Sequence, residues 1–288
     1  MKNRWSLLSC IRYREVLLLQ GPPLMGVVLS VGKLTVAKIP HIALLAVAGF
    51  LLVAHIWSLN DWADIHADTN DPNKSENVFS CKGVNPPAML RFSIALLIAS
   101  LCLFAMLGRV TLLIAASIAL LGFFYSHSGI NAKGMPVLSS MPHLIGGLLH
   151  FLLGYSLFAP IGAKAVMTAS FFALTFTAGH FAQEVQDYEG DRSRGVRTNA
   201  VVFGKTTVFV ASFVLFTLAY ASLLWLSLAG IMPRRLWIFP LLLFPLHCYW
   251  SLDVLLRGLS HDRVARFRGR YQALFALIGL GMISTLFF

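Results

Sequence analysis

Asn60, Asp61, Asp64 and Asp68 stand in the run NDWADIHAD, and Gln183, Glu184, Asp187 and Asp191 stand in QEVQDYEGD. In each run an amide precedes acids at i, i+3 and i+7, and the two runs are offset by a constant 123 residues. On a helix this spacing puts the carboxylates on one face, about 5–6 Å apart. At an effective dielectric near 20, each neighbouring pair then repels by roughly 3 kcal/mol. Neither run interleaves a basic residue that would relieve this. A divalent cation would, and oxygen-only ligands select Mg2+, Mn2+ or Ca2+ over zinc or copper. Mg2+ is usually held by a few carboxylates plus substrate phosphates. Two facing acidic helices could hold two or more ions with a pyrophosphate between them.

A pyrophosphate also needs fixed cations, because metal ions alone leave phosphate oxygens unpaired. The stretch DRSRGVRTNAVVFG begins at Asp191 and brings Arg192, Arg194 and Arg197. FYSHSGINAKG carries Tyr125 and Lys133, and Lys133 is the only Lys or Arg between Arg109 and Lys164. His55 and His180, one to two turns before the acidic runs, are candidates for binding an acceptor. Trp57, Trp62, Phe123, Phe124 and Tyr188 lie near the runs, where ring faces could stabilise a cation. His143, His150 and His247 are expected to hydrogen-bond between helices. Asp253 is expected to pair with Arg257 at i+4.

The elements that position these residues are membrane helices. The chain has 288 residues, 57% hydrophobic and 12% charged, with mean hydropathy +0.74. Soluble domains carry about 25% charged residues. Long unbroken apolar runs exclude a barrel of short alternating strands. The expected fold is an all-α integral membrane protein, one domain over residues 1–288. It is a bundle of nine transmembrane helices with a central cavity open to the cytosolic side. The spans are 16–32, 40–59, 90–108, 110–128, 141–160, 165–184, 206–230, 236–256 and 271–288, with GPP at 21–23 kinking the first. Nine spans put the two ends of the chain on opposite sides. With the N-terminus cytosolic, only Lys33, Lys38, Arg109, Lys164, Arg234 and Arg235 of the 23 Lys and Arg residues fall outside. This satisfies the positive-inside rule and suits a cell (inner) membrane. Both acidic runs then lie on the cytosolic side. RGLSHDRVARFRGR reads as a basic linker there.

Other classes are excluded by what is missing. The net charge of +11 has no soluble domain to turn it toward nucleic acid. Cys10, Cys81, Cys102 and Cys248 show neither disulfide nor zinc spacing. The apolar stretch before Cys10 is too short for a lipoprotein signal, so the N-terminus is expected to be uncleaved.

NDWADIHAD fits NDxxDxxxD and DYEGD fits DxxxD. With nine spans, the Tyr125 and Lys133 loop, and GDRSRGVRT running on to Phe203 and Gly204, the chain resembles the UbiA superfamily of intramembrane prenyltransferases. The resemblance implies transfer of an isoprenoid from its diphosphate to an acceptor, often an aromatic ring, within the bilayer. It implies that Asn60, Asp61, Asp64, Asp68, Asp187 and Asp191 hold Mg2+ (or Mn2+) and diphosphate. Lys133, Tyr125 and Arg192 would contact the diphosphate, with Arg197 and Lys74 as further candidates. Asp64, Asp191 and Lys133 would be the catalytic residues. After the first motif, NDPNKSENVFS keeps Asn70 and Pro72 but has Lys74 where many relatives have arginine, and Ser75 where they have proline. Glu184 is outside the usual second motif and is a candidate ligand only.

Two other readings use the same residues. A terpene cyclase on this scaffold would ionise the diphosphate identically but trap the cation with an internal alkene. A cation transporter would use the acids as an ion path, although such acids usually sit near the bilayer midplane. The CDP-alcohol phosphotransferase pattern fails because Ile65 follows Asp64.

Overall fold

The computed structural model describes residues 5–69, 75, 78–127 and 132–287. All regular structure among them is helical. In order the α-helices are α1 Trp5–Leu8, α2 Tyr13–Leu18, α3 Gly21–Ser30, α4 Ile39–Ala63, α5 Ile65–Thr69, α6 Pro86–Leu107, α7 Arg109–Ser126, α8 Met141–Tyr155, α9 Ala163–Ser193, α10 Asn199–Phe203, α11 Lys205–Leu228, α12 Ile238–Arg257 and α13 His261–Ser284. Among the described residues, six helical segments are long and apolar enough to cross a membrane, from Val36–Ala63 to Arg234–Arg257.

Three of the nine expected spans take another form. The stretch 16–32 is broken, not kinked: α2 stops at Leu18 and α3 begins at Gly21. Pro22 and Pro23 lack the N–H groups a continuous helix needs, so they open a new helix instead. The stretch 141–160 yields the fifteen-residue α8. The last helix begins ten residues early, so the expected basic linker is itself helical from His261. Its buried residues Val264, Phe267, Tyr271, Leu274 and Ile278 form an alternating three- and four-residue stripe. That apolar seam holds the segment down while the arginines between point elsewhere.

The chain forms two compact units: Met1–Gly21 with Thr35–Ala132, and Pro22–Leu34 with Lys133–Phe288. In the first, α4 packs on α6 through buried hydroxyls that satisfy carbonyls, as polar contacts between apolar helices must. Ser100 Oγ donates to Ala48 O at 2.8 Å and Ser93 Oγ to His55 O at 3.1 Å. Ile11, Val16, Val53, Ala54 and Leu96 form one buried cluster there, and Cys10, Val78, Phe79, Val84 and Met89 another.

In the second unit, α3 and α8 touch backbone to backbone. A Cβ on Gly154 would lie 1.8 Å from Pro23 O, and one on Gly26 would lie 2.2 Å from Phe151 O. No other residue fits at either place. The core of this unit is aromatic: Phe216 packs on His247, Tyr271 and Phe275, and Phe267 on Phe209 and Tyr271. His247 is fully buried in it, and neither ring nitrogen has a hydrogen-bond partner among the described residues. His150 Nδ1 meets Gly146 O of its own helix at 2.8 Å. The interhelical bonds expected of these two histidines are therefore replaced by ring packing and a local contact. Asp253 does pair with Arg257, Nε to Oδ1 at 2.6 Å.

Candidate active site

In the first unit, α4 delivers Asn60 and Asp61, both half-buried, and ends at Ala63. Asp64 leaves the helix at φ −90° and ψ 5°, and α5 resumes at Ile65. The i→i−4 bonds still span the break, from Asp64 N to Asn60 O at 2.9 Å and from Asp68 N to Asp64 O at 2.8 Å. The helix on which the three acids would share one face is thus interrupted at Asp64. Asp64 is half-buried and Asp68 buried.

The charge of this set is relieved by a residue the sequence pattern did not reveal. Arg12, 49 residues upstream, grips both oxygens of Asp61, with Nε 3.2 Å from Oδ2 and a close second contact from Nη2 to Oδ1. Its guanidinium also lies 5.0 Å from the Trp57 ring centroid. Burial works against the charge on Arg12, but Asp61, then Asp68 and Glu15, outweigh it and hold its pKa above the ordinary value. A bidentate arginine–carboxylate pair is among the stronger polar contacts.

His55 is buried, and its Nδ1 meets both the carbonyl and the hydroxyl of Ser93 at 2.9 Å. Tyr125 is half-buried in the last turn of α7. Trp62 packs against the cluster around Val78, Phe79 and Met89, whereas Phe123 and Phe124 are exposed. Lys74 lies outside the described residues, as do Asn70, Asp71, Pro72 and Glu76.

In the second unit the acids ride one unbroken helix. The 31-residue α9 runs through Glu184, Asp187 and Asp191 to Ser193. Gly195, at φ 70°, ends it. Val196 N reaches Asp191 O at 2.9 Å and Gly195 N reaches Arg192 O at 3.2 Å, the paired bonds of a glycine-terminated helix. Asp191 is buried, and its Oδ1 accepts from Arg194 Nη2 at 2.7 Å. Lys133 is close enough for its charge to act on Asp191. Asp187 is half-buried. Arg192 is exposed and donates to Tyr188 Oη at 3.2 Å, and Arg197 is exposed. Arg268, in the stretch read as a linker, donates to Gln186 Oε1 at 2.8 Å, and His261 Nδ1 meets Gln186 O at 3.1 Å.

Glu184 is buried and surrounded by protein donors. Oε1 accepts from Asn199 Nδ2 at 3.0 Å and Ser139 Oγ at 3.4 Å, and Oε2 from Ala200 N at 3.3 Å. His180 Nε2 is 3.1 Å from Oε1 but out of line for a hydrogen bond, and the His180 ring stacks on His143 at 3.6 Å. His143 Nδ1 meets Ser139 O at 3.2 Å. The acid one turn before the second motif thus ties α9 to the segments 138–140 and 199–203. Asn199 gave no signal in the sequence, since an isolated asparagine after an arginine run has no distinguishing spacing.

Among the described residues, no three His, Cys, Asp or Glu side chains form a ready-made metal cage. The donors present are hard oxygens, and Mg2+ needs only one or two carboxylates when substrate phosphates and water complete its shell. The residues therefore fit a cation that arrives with a diphosphate.

The UbiA prenyltransferase family matches residues 21–278. The lycopene elongase/hydratase of Haloferax volcanii is 28% identical over 219 residues, 73% of this chain and 70% of that protein. A UbiA homolog from Archaeoglobus fulgidus, solved bound to GPP and Mg2+, superposes with TM-score 0.74 at 19% identity, covering 97% of this chain and 99% of that one. A digeranylgeranylglyceryl phosphate synthase superposes with TM-score 0.72 at 20% identity, covering 99% and 98%. At these identities the solved structures establish the fold, and the match over most of the sequence establishes the lineage: this multi-pass membrane protein belongs to the UbiA prenyltransferase family.

Proposed function

We propose that the protein transfers an isoprenoid from its diphosphate to an acceptor within the membrane, with the carboxylates of both acidic sets as its metal-binding groups. The observation that carries this reading is the doubled, amide-led carboxylate spacing in a chain of this family. Asn60, Asp61, Asp64, Asp68, Asp187 and Asp191 would hold Mg2+, with Mn2+ as a substitute of the same hard class. When bound, the ions neutralise charge on the departing diphosphate. Lys133, Tyr125 and Arg192 bind the diphosphate, Lys133 and Arg192 adding fixed positive charge, with Arg197 and Lys74 further out. Arg12 and Arg194 hold Asp61 and Asp191 in place until substrate arrives. The C1–O bond then breaks, the apolar helices keep water from capturing the allylic cation, and the acceptor attacks C1. A carboxylate or the released diphosphate takes the proton.

In this reading the N-terminus is cytosolic and the C-terminus opposite, in the cell membrane, and the chemistry takes place on the cytosolic side. An aromatic or lipid-like acceptor fits this chemistry. The similarity to a lycopene elongase/hydratase supports adding a polyene to the acceptors tested. The test is an assay of the detergent-purified protein with Mg2+, offering C10, C15 and C20 diphosphates with and without acceptors. Asp64→Ala and Asp191→Ala should each lower diphosphate release about a thousandfold. Full turnover by both folded variants would end the proposal. Diphosphate release with a cyclic product and no acceptor would turn it into a cyclase.

A further inference from the structure

The segment after Lys133 turns on a backbone shape that valine rarely takes. Val137 has φ 66° and ψ −52°, and Leu138 N donates to Pro136 O at 2.8 Å. Together these define a γ-turn of the positive-φ kind, which is rare and strained. Val137 is the only non-glycine residue with positive φ among the described residues. A β-branched side chain makes it a true outlier. Such a shape persists only where its surroundings over-determine it.

Asn199 supplies the constraint. Its Oδ1 accepts from Val137 N at 2.6 Å, and its Nδ2, with two hydrogens to share, lies 3.1 Å from both Ser139 Oγ and Ser140 Oγ and 3.0 Å from Glu184 Oε1. Asn199, Ser139, Ser140 and Glu184 are all buried. Glu184 sits on the helix that carries Asp187 and Asp191. The turn is therefore fastened to α9 through two side chains that no motif requires. We infer that Asn199 and Glu184 are positioning residues, which clamp the strained turn at Val137 and thereby fix the Lys133 segment against the Asp191 end of α9. The effect on turnover rests on Lys133 contacting the diphosphate, as proposed above; the clamp itself does not.

An ordinary packing role for Asn199 would give a different result in one cycle. Asn199→Ala should remove amide-exchange protection over 132–140 in the detergent-solubilised protein and raise the donor KM roughly tenfold, with a smaller effect on kcat. Adding Val137→Gly should restore most of both, because glycine adopts the turn unaided. A double variant as unprotected and as weak for donor as Asn199→Ala overturns the clamp. If Asn199→Ala does not fold, Asn199→Ser takes its place in the cycle, with the same two outcomes. Lys133→Met separates the two readings. If protection follows the cycle while neither Lys133→Met nor Asn199→Ala changes the donor KM, the clamp stands and the diphosphate role of Lys133 falls.

Discussion

The two acidic sets have the same spacing but are built differently. The first straddles a helix break at Asp64, and its partner cation, Arg12, comes from 49 residues away. The second rides an unbroken helix, and its partner cation, Arg194, is only three residues along. Like-charge repulsion is relieved in both, once by tertiary approach and once within a single helical turn. The lesson is that i, i+3, i+7 spacing specifies a shared face but not what supports it. In α9 the end is held by Gly195, by Arg268 and His261 on Gln186, and by the Glu184–Asn199 contacts. In the first set, Asp61 is held by a long-range bidentate pair with Arg12.

This contrast can be broken. Removing Arg12 should have the larger effect on stability. Arg12→Leu leaves the half-buried Asp61 carboxylate without its bidentate partner, and we expect a loss of about 2–3 kcal/mol, discounted for partial exposure of the pair. Thermal unfolding in detergent reads this, and Arg12→Leu/Asp61→Asn should recover much of it. If Arg194→Gln destabilised the protein as much as Arg12→Leu, the two sets would be equally supported and the contrast would fail.

The helix terminus of the second set comes next. Gly195→Ala forces a Cβ into the left-handed region, at about 1 kcal/mol. Because Val196 N and Gly195 N close the last turn, the variant should loosen Asp191 and raise the Mg2+ concentration needed for half-maximal turnover. An unchanged Mg2+ requirement would show that the terminus does not set the geometry of Asp191.

The smallest effect should come from the rim. Lys205 bonds Glu189 at 2.9 Å and lies 4.9 Å from the Tyr188 ring centroid, but Glu189 is 72% exposed. Lys205→Ala should change stability by under about 0.5 kcal/mol, within the range of exposed ion pairs. A larger loss would mean that the face of α9 bearing Tyr188 and Glu189 takes part in supporting the second set.

The residue types and spacing of the proposed site are local features of the sequence. The acids, their common spacing, Lys133 and the arginines after Asp191 all stand in short windows. Most membrane helices were legible too, since α4, α6, α7, α11 and α12 lie within a few residues of their expected spans. The misses have physical causes. Val264, Phe267, Tyr271, Leu274 and Ile278 carried a helical stripe, but the arginines between them masked it in a hydropathy reading. Pro22 and Pro23 signalled a disturbance, yet not whether the chain would kink or restart. Glu184 is a candidate ligand by its spacing, which matches Asp61; that it is buried among Asn199, Ser139 and Ala200 depends on how α9, α10 and the 138–140 turn meet, which no local pattern records.

What the sequence by itself determined is whatever repeats over a few residues: apolar length and the spacing of the acids. These follow from helical geometry and the bilayer's intolerance of unpaired backbone, both of which act locally. Only the tertiary structure decided which cation meets which carboxylate across 49 residues, which acid becomes a structural anchor, and that Val137 is held in a strained turn. Those contacts arise from the packing of distant helix ends, and no local pattern of residue types records which ends will meet.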